Sequence, residues 1–253
     1  MMLLVKLILA HMIGDFLLQP GNWVKKKEKE KLKAPELYIH TLLHGLLPLL
    51  FVVDLKFWFP AAVIAVTHFI IDAAKLYLQD EKGNYQAEKK RWTLSKRTWF
   101  FIDQALHVAV IAMVWYNWQG LPLSLGSFFL DSFFTKEHLI FLTAVVAVTL
   151  PASVVVKTFI SKWTPHTEEN EGESLDSAGE YIGIFERLFV LSFVITGHWE
   201  AIGFLIAAKS VFRFGDLKES KDRKLTEYIL IGTLLSFGIA FVAGMLVLRL
   251  QAV

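Results

Sequence analysis

Four pairs of metal-ligand side chains recur at one spacing: His11 with Asp15, His40 with His44, His68 with Asp72, and Asp103 with His107. A separation of four puts both members on one helix face, about 5–6 Å apart at Cβ. Each pair sits inside a strongly apolar segment. Ionisable groups at membrane depth are costly and are kept for function. Five imidazoles and three carboxylates make the donor set of a site for one or two divalent ions. Zinc is the first expectation, with manganese or iron admitted by the mixed nitrogen and oxygen donors. The chain has no cysteine, which excludes thiolate metal sites, disulfides and cysteine nucleophiles. Asp15 and Asp103 are the candidates for catalytic work, as general base or as the group that orients an imidazole.

The elements that must position these groups are membrane helices. The 253 residues are 55% hydrophobic and 14% aromatic, which fits a polytopic membrane protein better than a soluble domain. Crossing a bilayer takes roughly 17–25 apolar residues. Such runs lie at 2–19, 37–53, 57–78, 98–118, 138–158, 179–197 and 226–250, with a shorter one at 201–215. Counting the short run gives an all-α bundle of about eight spans. The N-terminal run lacks the basic start and small-residue cleavage site of a signal peptide, so it is kept as a span. The segments 20–36, 79–97 and 216–225 are rich in lysine and arginine, and the intervening loops are poor in them. The positive-inside rule then sets the basic loops in the cytoplasm and both termini on the other side. An acidic stretch at 164–178 reads as a flexible cytoplasmic loop. It separates a metal-site half, 1–163, from a C-terminal half, 179–253, within one membrane domain. A net charge of only +2 gives no argument for nucleic acid.

Depth unites the four pairs. Counted from the expected span ends, at 1.5 Å per residue, all eight groups fall roughly 5–15 Å beneath the cytoplasmic face. Two inward-running and two outward-running spans agree on that layer. The expectation is one pocket. Its outer side is nearly all apolar, which favours a one-sided pocket over a pore. In the second half, Glu186, Arg187 and Lys209 fall at a similar depth. They form either a cationic clamp for an anionic head group or an ion pair that ties two helices. Arg213 and Lys75 are further candidates to reach such a head group or to snorkel to the interface.

The blocks His11-Met-Ile-Gly-Asp15-Phe16-Leu-Leu-Gln19, His40-xxx-His44, His68-xxx-Asp72 and Asp103-Gln104-xx-His107 resemble an uncharacterised bacterial membrane-protein family, a domain of unknown function. The likeness extends to Gly179-xx-Ile182-Gly183-xx-Glu186-Arg187 and Lys209-Ser210-xx-Arg213-Phe214. The paired His and Asp residues are also similar to those of predicted membrane-bound metal-dependent hydrolases. The resemblance implies a bacterial inner-membrane location and a class of protein, and gives no substrate.

The function expected is a metal-dependent membrane hydrolase at the cytoplasmic leaflet. Its substrate would be amphipathic, lipid-like or anionic, and held by Lys209, Arg187, Arg213, Glu186 and Lys75. The rivals are a transporter of divalent cations or protons and a scaffold braced by a structural metal. No G-x-S-x-G or P-loop supports serine-hydrolase or nucleotide-driven chemistry.

Overall fold

The computed structural model describes residues 2–79, 94–118, 135–164, 178–214 and 220–252. Most of the acidic loop and of the second basic loop lie outside them. Every regular element among the described residues is helical. The chain divides into two compact units, Met1–Leu139 and Ile140–Val253.

The first unit holds α1 (Met2–Met12), α2 (Gly21–Glu30), α3 (Pro35–Val52), α4 (Trp58–Leu78) and α5 (Lys96–Trp118). Helix α1 packs on α3, α3 on α4, α4 on α5, and α5 returns to α1. Four helices thus close a ring: α3, α4 and α5 each carry a whole pair, and α1 carries His11, with Asp15 in the turn that follows it. Their faces run opposite to those of a soluble bundle. On α3 the buried positions are Leu37, His40, His44, Pro48 and Val52, while Leu42, Leu46 and Leu50 are exposed. On α4 the buried stripe runs through Ile64, His68, Asp72 and Leu76, while Val66 and Ile70 face outward. Helix α5 buries Asp103, His107, Ile111 and Val114 and exposes Leu106, Val108 and Met113. Imidazoles inside and leucines outside make sense only where the surroundings are apolar.

Close helix contacts come from small residues. A Cβ on Gly45 would stand 3.3 Å from Ala65 Cβ, so α3 and α4 meet tightly just beside His44. Pro48 lies inside α3 and has no N–H to give to the carbonyl of His44 four residues earlier.

The second unit contains the greater part of α6 (Lys136–Val148), then α7 (Leu150–Ile160), α8 (Ala178–Thr196), α9 (Trp199–Phe214) and α10 (Ser220–Gln251). The span expected at 138–158 is broken at Thr149, where Pro151 falls in the first turn of α7. Helix α8 packs along α10, and α7 and α9 also touch this pair: α7 on both helices, α9 on α8.

Among the described residues, five helical segments are long and apolar enough to cross a membrane, or six if the bent pair Met2–Leu17 and Gly21–Lys33 counts as one span. The chain therefore has the build of a multi-span membrane protein. Helices α8 and α9 fall short of that test. Helix α8 carries Glu180, Glu186 and Arg187, and α9 has 16 residues.

The segment 20–36 is not the plain basic loop that its lysines imply. Its first part is helix α2, set at 79° to the segment before it. The turn is made by a π-helical stretch, Ile13–Leu17, closed by a Leu18 N–H bond to Ile13 O, followed by Pro20. Helix α2 then lies against the end of α4. Lys27 Nζ donates to Asp72 Oδ2 and Lys31 Nζ to Leu76 O, each at 2.7 Å. Lys27 makes its bond from within α2, and Lys31 from just past its end, where the chain turns with a φ of 57° into a 3-10 stretch, Lys31–Lys33.

Candidate metal centre

All eight side chains expected from the sequence meet inside the ring of α1, α3, α4 and α5. Seven of the eight residues are buried, and Asp15 has a side chain only 8% exposed. The imidazoles present Nε2 to the carboxylates. His44 Nε2 lies 2.9 Å from Asp15 Oδ1, with His40 Nε2 at 3.3 Å and His68 Nε2 at 3.6 Å from the same oxygen. His11 Nε2 stands 3.8 Å from Asp15 Oδ2. His107 Nε2 lies 3.5 Å from Asp72 Oδ1 and 3.7 Å from Asp103 Oδ1. The rings of His44, His68 and His107 stack in a row, with centroids 3.6 Å and 3.9 Å apart.

The three acids are held in one manner. Each has its Oδ2 gripped by a donor and turns Oδ1 toward imidazoles. Gln104 Nε2 donates to Asp15 Oδ2 at 2.8 Å, Lys27 Nζ to Asp72 Oδ2 at 2.7 Å, and Lys75 Nζ to Asp103 Oδ2 at 2.9 Å. Such outer donors fix the rotamer of a ligating carboxylate and tune its charge.

Backbone choices upstream make this approach possible. A Cβ on Gly14 would lie 2.6 Å from His44 Nε2, so only glycine fits there. Gly14 and Asp15 both belong to the π-helical stretch, a local widening that is common at functional sites.

The cluster also holds polar atoms that the protein leaves unsatisfied. His11 Nε2, His44 Nε2, Asp15 Oδ1 and Asp103 Oδ1 are buried without a hydrogen-bond partner. His44 and Asp15 are close enough, but their atoms are off the line a hydrogen bond needs. His68 Nε2 and His40 Nε2 face each other at 3.0 Å, and two such nitrogens share only one proton. Each buried unsatisfied group costs roughly 1–3 kcal/mol. Three sets of donors could each hold a cation: His11, Asp15, His44 and His68; His40, His68 and Asp72; and Asp72, Asp103 and His107. Within each set the ligand atoms lie within 4.8 Å of one another. The first two sets share His68 and the last two share Asp72, so the sets form a chain rather than isolated sites.

At one end of the ring the cluster gives way to an apolar core of Leu7, Val52, Phe57, Ala61, Ile64, Ile111 and Val114. Lys6 and Asp54 are buried at that end as well.

The sequence-derived substrate residues fall in different places. Lys75 belongs to the cluster through Asp103. Glu186 and Lys209 pair at 2.7 Å in the second unit. Arg187 in that unit bonds the carbonyls of Val148 and Thr149 and the hydroxyls of Ser153 and Ser236. It thereby occupies carbonyls left free where α6 ends. Arg213 lies in α9, and its side chain is outside the described residues. Sequence reasoning missed Lys27 altogether. It also quoted Gln104 without giving it a role.

The family described as Protein of unknown function (DUF3307) matches residues 3–136. The chain belongs to this family. The DUF3307 match takes in all eight clustered residues together with Lys27, Lys75 and Gln104, and it ends before the blocks at 179–215. No curated protein and no solved structure matches the chain.

Proposed function

We propose that the clustered imidazoles and carboxylates form a resident divalent-metal centre, one or two ions and zinc first, of an integral-membrane hydrolase. The observation that carries this reading is the shared arrangement of the three acids: outer oxygen gripped, inner oxygen aimed at imidazoles, with Asp15 Oδ1, Asp103 Oδ1, His11 Nε2 and His44 Nε2 left without a hydrogen-bond partner. A site for ions in transit gains nothing from locked ligands, whereas a resident centre does. A divalent ion held there would supply Lewis acidity and a water acidic enough to act as nucleophile near neutral pH. Asp15 and Asp103 are the acids to receive a proton, because their inner oxygens carry no hydrogen bond.

Charge points to the class of substrate. Three carboxylates face two ammonium groups, Lys27 and Lys75, leaving one negative charge uncompensated. One bound divalent ion turns that balance positive, and a second turns it further. An anionic, phosphate-bearing amphiphile fits such a pocket better than a neutral ester. The apolar core at one end of the ring counts against a continuous ion path.

The same reading takes α8 and α9 as crossings too. The charges that lower the hydropathy of α8 are met within the protein, by Lys209 for Glu186 and by four oxygens for Arg187. That gives eight spans, both termini away from the cytoplasm, and a bacterial inner-membrane protein acting at the cytoplasmic leaflet.

The test is elemental analysis of the purified protein beside His44→Ala and His107→Ala, with phosphate release from anionic lipid vesicles as the activity readout. Near-stoichiometric metal lost in both variants supports the centre. Equal, negligible metal in all three chains removes it. Steady metal uptake into proteoliposomes by the intact protein would make it a transporter instead. Retained metal and fold in Asp103→Asn, with activity lost, separates the enzyme from a scaffold.

A further inference from the structure

A cleft of about 660 Å³ opens in the second unit, between α7, α8 and α10, with Lys209 of α9 at its wall. It lies beyond the residues matched to the family. At its polar end stand Arg187, Lys209, Ser153 and Ser236. Its other walls include Val156, Ile160, Ile182 and Ile229, which are apolar.

Arg187 is the feature that asks for an explanation. It is 2% exposed, yet among the described residues no carboxylate lies within ion-pair distance of its guanidinium. Its partners are two carbonyls and two hydroxyls, all neutral. The adjacent Glu186 is taken by Lys209. Buried charges are ordinarily matched by an opposite charge. Counting Lys157 and Glu180, which also line the cleft, three cations face two acids. Among the described residues the cleft therefore carries one positive charge in excess. Gly183 keeps the approach narrow but open: a Cβ there would stand 3.1 Å from Arg187 Nη1.

We infer that this cleft binds a phosphate-type anion beside Arg187, as the head group of an amphiphile whose chain lies along the apolar walls. A phosphate oxygen would accept from the remaining Nη1 hydrogen of the guanidinium and from the Ser236 hydroxyl, whereas Ser153 already donates to Thr149 O. The shared chemistry is the phosphate; its source is a lipid or the free ion. The inference rests on the second unit alone and does not depend on the metal centre.

The full chain, purified in detergent, is titrated calorimetrically with short-chain phosphatidic acid, the matching diacylglycerol and inorganic phosphate. Phosphatidic acid should bind at least about tenfold tighter than diacylglycerol, a difference of roughly 1.4 kcal/mol. Weak binding of inorganic phosphate assigns the lipid source, and equal binding assigns the free ion; both support the anion site. Arg187→Gln should lose the phosphate preference. Because Arg187 also caps α6, that variant is paired with Lys157→Glu, whose site is exposed and whose fold should be intact. It should weaken phosphatidic acid and leave diacylglycerol unchanged. His44→Ala should bind phosphatidic acid as the parent does, which separates this cleft from the metal centre. Equal affinity for phosphatidic acid and diacylglycerol without phosphate binding, or a folded Lys157→Glu with unchanged affinities, overturns the inference.

Discussion

Lys27 Nζ donates to Asp72 Oδ2 at 2.7 Å, joining the helix after the bend to the heart of the ring across forty-five positions of sequence. Both side chains are nearly inaccessible, at 6% and 11% exposure. Removing one partner of such a pair strands the other charge. Lys27→Met should therefore cost about 3–5 kcal/mol of stability. The double variant Lys27→Met with Asp72→Asn should recover much of that loss. Thermal unfolding in detergent checks both, and equal melting of parent and single variant would show that the pair carries no weight.

Gly14 tests the close approach of the π-helical stretch to α3. Its missing Cβ is the space that His44 Nε2 fills. Gly14→Ala should displace the His44 ring, lower stability by roughly 1–3 kcal/mol and reduce bound metal. Gly21→Ala, where a Cβ meets nothing within 4 Å, is the control and should change neither.

Gln104 is the outer donor to Asp15. Gln104→Leu keeps the size of the side chain and deletes the donated hydrogen bond. Metal affinity or activity should fall about 10–100-fold, as for outer-shell partners elsewhere. Chelator competition on the purified protein reads this directly. An unchanged affinity would reduce Gln104 to a packing residue.

In the second unit, a Cβ on Gly244 would lie 2.6 Å from Val194 Cγ1. Gly244→Ala should push α8 from α10 and lower the melting temperature. Adding Val194→Ala should restore part of the loss, since the clash needs both side chains. Additive effects of the two changes would show that they do not meet.

The four pairs were readable because two regularities coincide. A helix repeats its face every three to four residues, and hydropathy marks where the helices lie. His11, His40, His68 and Asp103 could therefore be set in one layer from numbering alone. Lys27 escaped because six lysines between positions 25 and 33 look alike in sequence. Only the 79° bend decides which of them turns back toward Asp72. The π-helical stretch was equally hidden, since Gly14 has no pattern until His44 is seen beside it. Lys75 illustrates the opposite difficulty. Its place one turn after Asp72 was legible, but its partner, Asp103, lies on another helix. In the second half, the composition showed charges inside apolar helices. It could not tell which were paired, and the broken helix at Thr149 is what gives Arg187 its neutral partners.

The apolar plug around Phe57 has a consequence for traffic. A charged solute that approached the imidazoles through these side chains would have to shed its water among apolar groups, so the core disfavours that side as a way in. Lys27 and Lys31 fasten the segment after the bend to the opposite end of α4, away from that apolar core.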